Sequence, residues 1–166
     1  SAYAPLSGSI VSDKVWKVLE DGTDEFGPIG HGWTYSAHPV CTAAGVANLK
    51  LIDELDLVAN AGAVGAYLKA AMQEALGAHP YVGDIRGEGM LCAVELTTDK
   101  QTRAPFDPAV KAGPSVVAGM LARNVIARAM PQGDIIGLAP PMCLTRAEAD
   151  LVVAATKEAL DDFNPV

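Results

Sequence analysis

An apolar repeat of helical period between Pro39 and Gly77 constrains the fold of this chain more than any other sequence feature. Apolar side chains recur there every three or four residues, the spacing that places them on one face of a helix. Proline is favoured in the first turn of a helix and glycine just after its end, so both boundaries agree with the repeat. The pattern predicts one long helix with a kink near residues 53–56. Its apolar face comprises Val40, Ala43, Ala44, Ala47, Leu51 and Leu55, then Leu57, Ala61, Val64, Leu68, Met72 and Ala75.

From about residue 80 onward, strand-like and helical segments alternate. Residues 81–96, 124–128 and 134–139 favour strands, and residues 109–123 favour a helix. Thr145 and Glu148 have the spacing of a capping box and predict the start of a last helix. This order predicts an α/β domain in which helices cover one face of a three-stranded sheet.

Composition excludes several classes of function. The 166 residues are 50% hydrophobic and carry a formal net charge of -8, which disfavours both a disordered chain and a nucleic-acid partner. No apolar run approaches the roughly 18 to 20 residues of a membrane helix, and the first residues lack the pattern of a signal peptide. Cys41, Cys92 and Cys143 lie far apart among apolar neighbours, which indicates reduced, buried thiols in a cytoplasmic protein.

A glycine-rich loop over residues 22–38 ends in a segment whose residue types suit an anion. Residues 31–39 bring hydroxyls, two imidazoles and aromatic side chains to the start of the predicted helix. Backbone N–H groups and the helix dipole favour negative charge there, and the hydroxyls of Thr34 and Ser36 are directed donors. A phosphate or carboxylate is therefore a natural ligand. The alternative is a helix cap with packed aromatic side chains.

Two arginines in the second half of the chain are candidates for binding a carboxylate. Arg128 lies at the end of an apolar strand, where a guanidinium can bind a carboxylate through two hydrogen bonds. The alternative for Arg128 is a surface ion pair with Asp134 or a neighbouring acid. Arg86 lies between Asp84 and Glu88 and is interpreted as structural, because an arginine flanked by acids usually pairs with them.

A metal site is a further alternative in the first half. His31, His38 and Cys41 fall within eleven positions of one another. They lack a fourth ligand, whereas structural zinc sites have four. The sequence therefore predicts no metal site.

Four ordered stretches span almost the whole chain and carry a family resemblance. They are SAYAPLSGSIVSD at residues 1–13, HGWTYSAHPV at the start of residues 31–54, VGDIRGEGMLCAVEL at 82–96 and ARAMPQGDIIGLAPPMCLTRAEAD at 127–150. The second matches the block H-G-aromatic-T-Y-S-small-H-P-V, the third contains R-G-x-G, and the fourth contains an arginine-bearing strand and a P-P turn. Together they resemble the class III (omega) aminotransferases, which are pyridoxal-phosphate enzymes of fold type I.

The resemblance implies a domain organisation. Residues 1–78 would be the C-terminal part of the large pyridoxal-phosphate-binding domain, including a long interdomain helix. Residues 79–166 would be the small C-terminal α/β domain. The chain would be the C-terminal portion of the enzyme, because the Schiff-base lysine of the family would lie a few residues before Ser1. The resemblance therefore assigns no catalytic residue to this chain and implies that the chain alone is inactive.

The resemblance also implies residue roles and partners. Thr34 would bind the cofactor phosphate of the neighbouring subunit, and Trp33 would face the substrate pocket across the same interface. Arg128 resembles the mobile arginine that pairs with the carboxylate of an amino or keto acid. The implied partners are a second copy in a homodimer with shared active sites, an amine donor, a keto acid such as pyruvate, and the N-terminal portion of the same protein.

A rival interpretation keeps the α/β fold without catalysis. In that case the chain is an assembly module, and Thr34 and Arg128 are structural residues. The two interpretations differ in whether a lysine and the rest of a pyridoxal-phosphate enzyme precede Ser1.

Overall fold

The computed structural model describes residues 3–165, which form two compact units divided between Glu54 and Leu55. The first unit contains three helices: α1 (Asp13–Asp21), α2 (Thr23–Phe26) and α3 (Pro39–Glu54). Cys41 is the one buried side chain among the described residues of this unit. Large apolar side chains such as Trp16, Phe26 and Trp33 are exposed. The first unit therefore has no hydrophobic core of its own.

The predicted long helix is interrupted where the kink was expected. Helix α3 ends at Glu54, and α4 (Leu57–Leu76) begins three residues later. Between them Asp56 is left-handed, with φ 46 and ψ 45. A right-handed helix cannot continue through a residue in that region, so the apolar repeat is divided between two helices.

The second unit is an α/β domain around a four-stranded antiparallel sheet. After α4 come β1 (Val82–Glu88), β2 (Leu91–Leu96), a short 3-10 turn (Pro108–Val110) and α5 (Ala112–Leu121). Strands β3 (Arg128–Ala129) and β4 (Ile135–Leu138) follow, and α6 (Arg146–Asp161) ends the fold. The strand order is β1-β2-β4-β3. The capping box at the start of α6 is confirmed, since Thr145 and Glu148 cap each other's backbone.

The sheet has four strands rather than the predicted three because residues 81–96 form a hairpin. Gly89 lies in the turn with φ 54, a backbone conformation that glycine adopts without a steric clash. Gly87 has φ 149, and a Cβ there would collide with the backbone of Leu91. The two glycines therefore let the chain reverse where the pattern alone suggested one strand.

Helices α4, α5 and α6 cover one face of the sheet, which confirms the predicted α/β arrangement. Their buried side chains form a single core with those of Val94 and Ile136 in the sheet. The fully buried members include Leu68 and Met72 of α4, Val116 and Met120 of α5, and Leu160 of α6. The other face of the sheet is not covered by these three helices and carries the candidate groove. The domain boundary after residue 78 concerns the whole protein and stays a prediction.

The three cysteines are free, but they are not all buried. Cys41 and Cys92 are buried, whereas Cys143 is exposed. The prediction of a buried thiol is therefore wrong for Cys143. This residue follows the proline pair in the loop before α6, where Asn60 Nδ2 donates to the carbonyls of Met142 at 2.7 Å and Leu144 at 3.1 Å.

Helix α4 approaches the hairpin turn at a glycine–glycine contact. Gly65 is buried on α4, and a Cβ there would overlap the backbone of Gly89. Lys69, one turn further along the helix, donates from Nζ to the carbonyl of Gly87 at 3.0 Å. The absence of a side chain at residue 65 therefore sets the distance between α4 and the sheet.

We expect Gly65→Ala to destabilise the second unit by about 1 to 3 kcal/mol, because the new methyl group forces α4 away from the hairpin. Gly62→Ala is the matched control on the same helix, since nothing lies within 4 Å of a Cβ there. The control should be neutral or more stable by up to about 1 kcal/mol. Urea unfolding followed by far-ultraviolet circular dichroism measures both. Equal stability of the two variants would contradict the close contact.

His79 belongs to an aromatic cluster that joins the start of β1 to the end of α6. Its ring centroid is 5.6 Å from that of Tyr81, which contacts Phe106 at 5.5 Å and Phe163 at 5.8 Å. The Nδ1 atom of His79 accepts a hydrogen bond from the backbone N–H of Tyr81 at 3.2 Å. That bond requires Nδ1 to be unprotonated.

The neutral form of His79 is favoured in the folded chain. Burial lowers the pKa of His79, and the nearby Lys157 and Lys100 lower it further, against an opposing effect of Asp161. Above the unfolded pKa near 6.5 both states are neutral and His79 adds no pH dependence. As the pH falls through that value, the unfolded chain takes up a proton before the folded chain does, so stability is lost.

We therefore expect the free energy of unfolding to fall between about pH 7.5 and about pH 5.5, with part of the fall due to His79. His79→Gln should reduce this pH dependence, because glutamine does not titrate. Urea unfolding by circular dichroism suits the test, since Trp16 and Trp33 lie in the first unit and tryptophan fluorescence would not report on the second. An identical pH slope in both proteins would show that His79 does not contribute.

Candidate substrate groove and anion-binding segment

The helix-free face of the sheet holds a row of four residues in register across all strands. Arg86 pairs with Ala93, Ala93 with Gly137, and Gly137 with Arg128. Directly paired residues of an antiparallel sheet point to the same face, so the two arginines flank an alanine and a glycine. The small residues form the floor of a groove of about 770 Å³. Its walls are mostly apolar and include Leu91, Met130, Pro131 and Leu138.

Arg86 is neutralised by acidic partners on its own strand and on the neighbouring strand. Its Nη1 atom donates to Asp84 at 2.8 Å and also to Glu95. These hydrogen bonds raise the pKa of the Arg86 guanidinium. The prediction that Arg86 is paired with adjacent acids is confirmed for Asp84, with Glu95 in place of Glu88. Arg86 therefore leaves little free charge in the groove.

Arg128 differs from Arg86 because its guanidinium is unpaired within residues 3–165. The side chain is exposed at the edge strand, and no acid of the described chain lies within ion-pair distance. The alternative partner Asp134 is otherwise engaged, since its Oδ1 atom accepts the backbone N–H of Gly113 at 2.9 Å. The groove thus presents one free positive charge beside apolar walls, an arrangement suited to a small carboxylate.

Met130 narrows the groove next to Arg128. Its sulfur lies 3.1 Å from the position that a Cβ would take at Gly137, so the thioether occupies the space above that glycine. Met130 is partly exposed. Sequence reasoning did not single out Met130 or Gly137, because their proximity depends on the register of β3 and β4. The sequence did offer one signal, because Arg128 and Met130 are two residues apart and alternate residues of a strand share a face.

The predicted anion-binding segment in the first unit is a tight turn followed by α3. Ser36 closes this turn: its N–H donates to the carbonyl of Trp33, and its Oγ accepts the N–H of Trp33, both at 2.9 Å. Ala37 is left-handed with φ 56, and α3 begins at Pro39. Ser36, rather than Thr34, therefore closes this turn.

Thr34 and Trp33 are both exposed in this turn. Within the described part of the chain, the Thr34 hydroxyl makes no hydrogen bond, so it is available to an external acceptor. Trp33 is 76% exposed and Tyr35 is 79% exposed, so the alternative of packed aromatic side chains does not describe this segment. Trp33 has one ring contact, an edge-on approach to His31 at 5.8 Å.

The predicted site residues belong to different compact units. Trp33 and Thr34 lie in the first unit, and Arg128 lies in the second. The convergence of Thr34 and Arg128 on one pocket, with a second copy of the chain, stays a prediction.

Residues 3–165 contain neither a candidate metal cluster nor a candidate membrane span. No group of three or more histidine, cysteine, aspartate or glutamate side chains there is arranged to hold a metal ion, so His31, His38 and Cys41 do not form the alternative site. In the same range, no helix combines the length and hydrophobicity needed to cross a membrane.

Comparison with known proteins identifies the class to which this fold and groove belong. The family model described as "Aminotransferase class-III" matches residues 3–160. This chain is a member of the class III aminotransferase family.

Curated relatives match the chain over almost its full length. Diaminobutyrate–2-oxoglutarate transaminase of Halomonas elongata is 55% identical over 161 residues, which are 97% of this chain and 34% of the relative. Putrescine–pyruvate aminotransferase of Pseudomonas aeruginosa is 35% identical over 169 residues, again 97% of this chain and 34% of the relative. The chain thus spans about a third of the length of these relatives.

Solved transaminase structures have the same fold in the matching region. One from a study of transaminases evolved by ancestral reconstruction has 56% identity and a TM-score of 0.93, covering 97% of this chain and 35% of its own. An (S)-enantioselective omega-transaminase from Thermomicrobium roseum has 38% identity and a TM-score of 0.82, with coverage of 92% and 33%. The chain therefore has the fold of a C-terminal portion of a fold type I transaminase.

Proposed function

We propose that this chain is the C-terminal portion of a pyridoxal-phosphate-dependent omega-aminotransferase that transfers an amino group from an amine donor to a keto acid such as pyruvate. The observation that carries the proposal is the unpaired Arg128 guanidinium in a mostly apolar groove of a class III chain. The names of two relatives pair an amine donor with a keto acid, diaminobutyrate with 2-oxoglutarate and putrescine with pyruvate. Both acceptors carry the carboxylate that such a groove suits.

Arg128 accounts for recognition of the acceptor. A guanidinium binds a carboxylate through two parallel hydrogen bonds, which fixes the orientation of the acid as well as its position. Arg86 competes less, because Asp84 and Glu95 already bind its Nη1 atom and neutralise its charge. Leu91 and Met130 offer apolar contact to the remainder of a small substrate. An amine donor without a carboxylate makes no use of Arg128, and we propose that the side chain moves aside for it.

Thr34 fits the phosphate of pyridoxal phosphate. It offers a hydroxyl with no partner in the described chain, in an exposed turn directly before a 16-residue helix. We assign it to the phosphate of the neighbouring subunit, with Trp33 facing the substrate. When bound, the cofactor supplies the electron sink for proton removal at the carbon that bears the amine. The residues of this chain bind its phosphate and orient the substrate.

The chain alone is not expected to transaminate. Of its seven lysines, four are engaged at the surface of their own unit: Lys17 and Lys157 in ion pairs, Lys69 and Lys100 with backbone carbonyls. None stands in the sequence context of the family's Schiff-base lysine. We therefore propose that the lysine and the rest of the cofactor pocket belong to the preceding part of the protein.

A homodimer with shared active sites is part of the proposal. Among its described residues, the first unit buries one side chain, Cys41, and exposes many large apolar ones. Such surface is unfavourable in water, so it supports contact with the rest of the protein and with a second copy. The two buried free thiols, Cys41 and Cys92, agree with a reducing compartment, and we propose a cytoplasmic location.

We expect Arg128→Ala in the complete enzyme to lower kcat/KM for pyruvate by roughly 10- to 100-fold, because a charge-assisted pair with the carboxylate is lost. The half-reaction with 1-phenylethylamine, which has no carboxylate, should change far less. Arg128→Lys retains the charge without the fork geometry and should lie between the two. Stopped-flow kinetics of each half-reaction measures the difference. Equal losses for both substrates would favour the non-catalytic, structural interpretation of Arg128.

We expect Thr34→Ala to weaken cofactor binding in the complete dimer by about 1 to 3 kcal/mol, because one hydrogen bond to a phosphate oxygen is lost. Thr34→Ser keeps the hydroxyl and should bind nearly as tightly as the native enzyme. Titration of the apoenzyme with pyridoxal phosphate, followed by its visible absorbance, gives both affinities. Unchanged affinity of Thr34→Ala would remove Thr34 from the phosphate site.

A further inference from the structure

Helix α5 begins without a local N-cap. Lys111 occupies the cap position with φ 51 and makes no side-chain hydrogen bond to the helix. A lysine at this end is electrostatically unfavourable, since the N-terminus of a helix carries partial positive charge. The first turn is stabilised instead from a distance, because Asp134 Oδ1 accepts the N–H of Gly113 at 2.9 Å. Asp134 is 21 residues further along the chain and acts as a remote cap for α5.

Asp134 is tied to a second element through its backbone. Its carbonyl oxygen accepts the N–H of Leu96, the last residue of β2, at 2.8 Å. The carboxylate and the carbonyl thus bind α5 and β2 at the same time. Both bonds are directed, so together they fix the position and the orientation of this one residue.

The turn that Asp134 anchors is the one that follows Arg128. Strand β3 has two residues, so its ladder to β4 holds Arg128 only weakly. The chain then turns through residues 130–134 and is closed by the Met130 N–H donating to the carbonyl of Ile135 at 2.8 Å. Pro131 and Gln132 at the tip are exposed and line the groove beside Arg128. The firm attachment of this turn to the domain therefore lies at its end, at Asp134.

We propose that Asp134 is a positioning residue for Arg128. By capping α5, Asp134 fixes the turn over residues 130–134 and so holds the Arg128 guanidinium in the position from which it binds the substrate carboxylate. Asp134 does not itself touch substrate. The proposal rests on the proposed function, because it requires Arg128 to bind a carboxylate. The contact between α5 and the turn over residues 130–134 then controls how well Arg128 binds the carboxylate.

The test uses the complete enzyme and four variants. Asp134→Ala removes the acceptor, and Asp134→Asn keeps an oxygen that can accept the Gly113 N–H. Thr145→Ala removes the cap of α6, which has its own capping box away from the groove, and controls for cap loss in general. Arg128→Ala reports whether the carboxylate site itself is correct. The measured quantities are KM and kcat for pyruvate and the half-reaction rate with 1-phenylethylamine.

We expect Asp134→Ala to raise KM for pyruvate roughly tenfold, because the released turn then holds Arg128 in its binding position only about a tenth of the time, with kcat within roughly twofold and the amine half-reaction unchanged. Asp134→Asn should restore the native KM, and Thr145→Ala should leave it unchanged. An unchanged KM in Asp134→Ala overturns the proposal, as does an equal loss with the amine or a failure of Asp134→Asn to restore binding. If Arg128→Ala shows no preference for the carboxylate substrate, the proposed function fails instead.

A fifth variant, Gly113→Pro, covers the case in which Asp134→Ala does not fold. Gly113→Pro removes the donor rather than the acceptor, at the second residue of α5 and directly before Pro114, where a backbone N–H has no acceptor within the helix. A Cβ at Gly113 lies 3.5 Å from Asp134 Cα, which is ordinary contact, so the ring displaces the carboxylate without a severe clash. This variant should raise KM for pyruvate selectively as well. A native KM in folded Gly113→Pro overturns the proposal by itself.

Discussion

The register of the antiparallel sheet is the constraint on which the candidate site depends. Because Arg86, Ala93, Gly137 and Arg128 lie in one row on one face, the same hydrogen-bond ladder that holds the domain together also places its charges. A slip of one residue in β4 would turn that strand's inward residues outward and remove the groove floor. The two arginines at the ends of this row differ in their hydrogen-bond partners. Asp84 and Glu95 neutralise one of them, and the other is left free for a ligand.

The helices make this register rigid from the opposite side. Gly65 lets α4 approach the hairpin turn at Gly89, and the remote cap from Asp134 joins α5 to the turn after β3. Both ends of the sheet are thereby fixed against helices, while the groove face stays open. The first unit differs in kind, because Cys41 is its one buried side chain among the described residues. Among the described residues, two hydrogen bonds between Trp33 and Ser36 close its exposed turn and leave the Thr34 hydroxyl without a partner.

The fold class of the domain and the residues that bear the candidate chemistry could be predicted from the sequence, but the arrangement of these residues in space could not. Periodicity and the capping box at Thr145 predicted α4 to within a few residues and the start of α6, because these signals are local. The kink near residues 53–56 was predicted, but the left-handed conformation of Asp56 that divides the repeat was not, and neither was the hairpin turn at Gly89. The sequence also could not decide whether Arg128 is unpaired, because Asp134 is near it in the chain. The folded structure shows that the Asp134 carboxylate accepts the N–H of Gly113 instead.

The central claim is that the free guanidinium of Arg128 and the free hydroxyl of Thr34 are two walls of one shared pocket. A crystal structure of the complete enzyme with pyridoxal phosphate and a carboxylate substrate analogue tests it most directly. The account predicts Arg128 nitrogens within hydrogen-bond distance of the carboxylate, and Thr34 from the neighbouring subunit within that distance of the phosphate. An Arg128 paired with a protein acid while the carboxylate is bound elsewhere, or a Thr34 remote from the phosphate, would contradict the account.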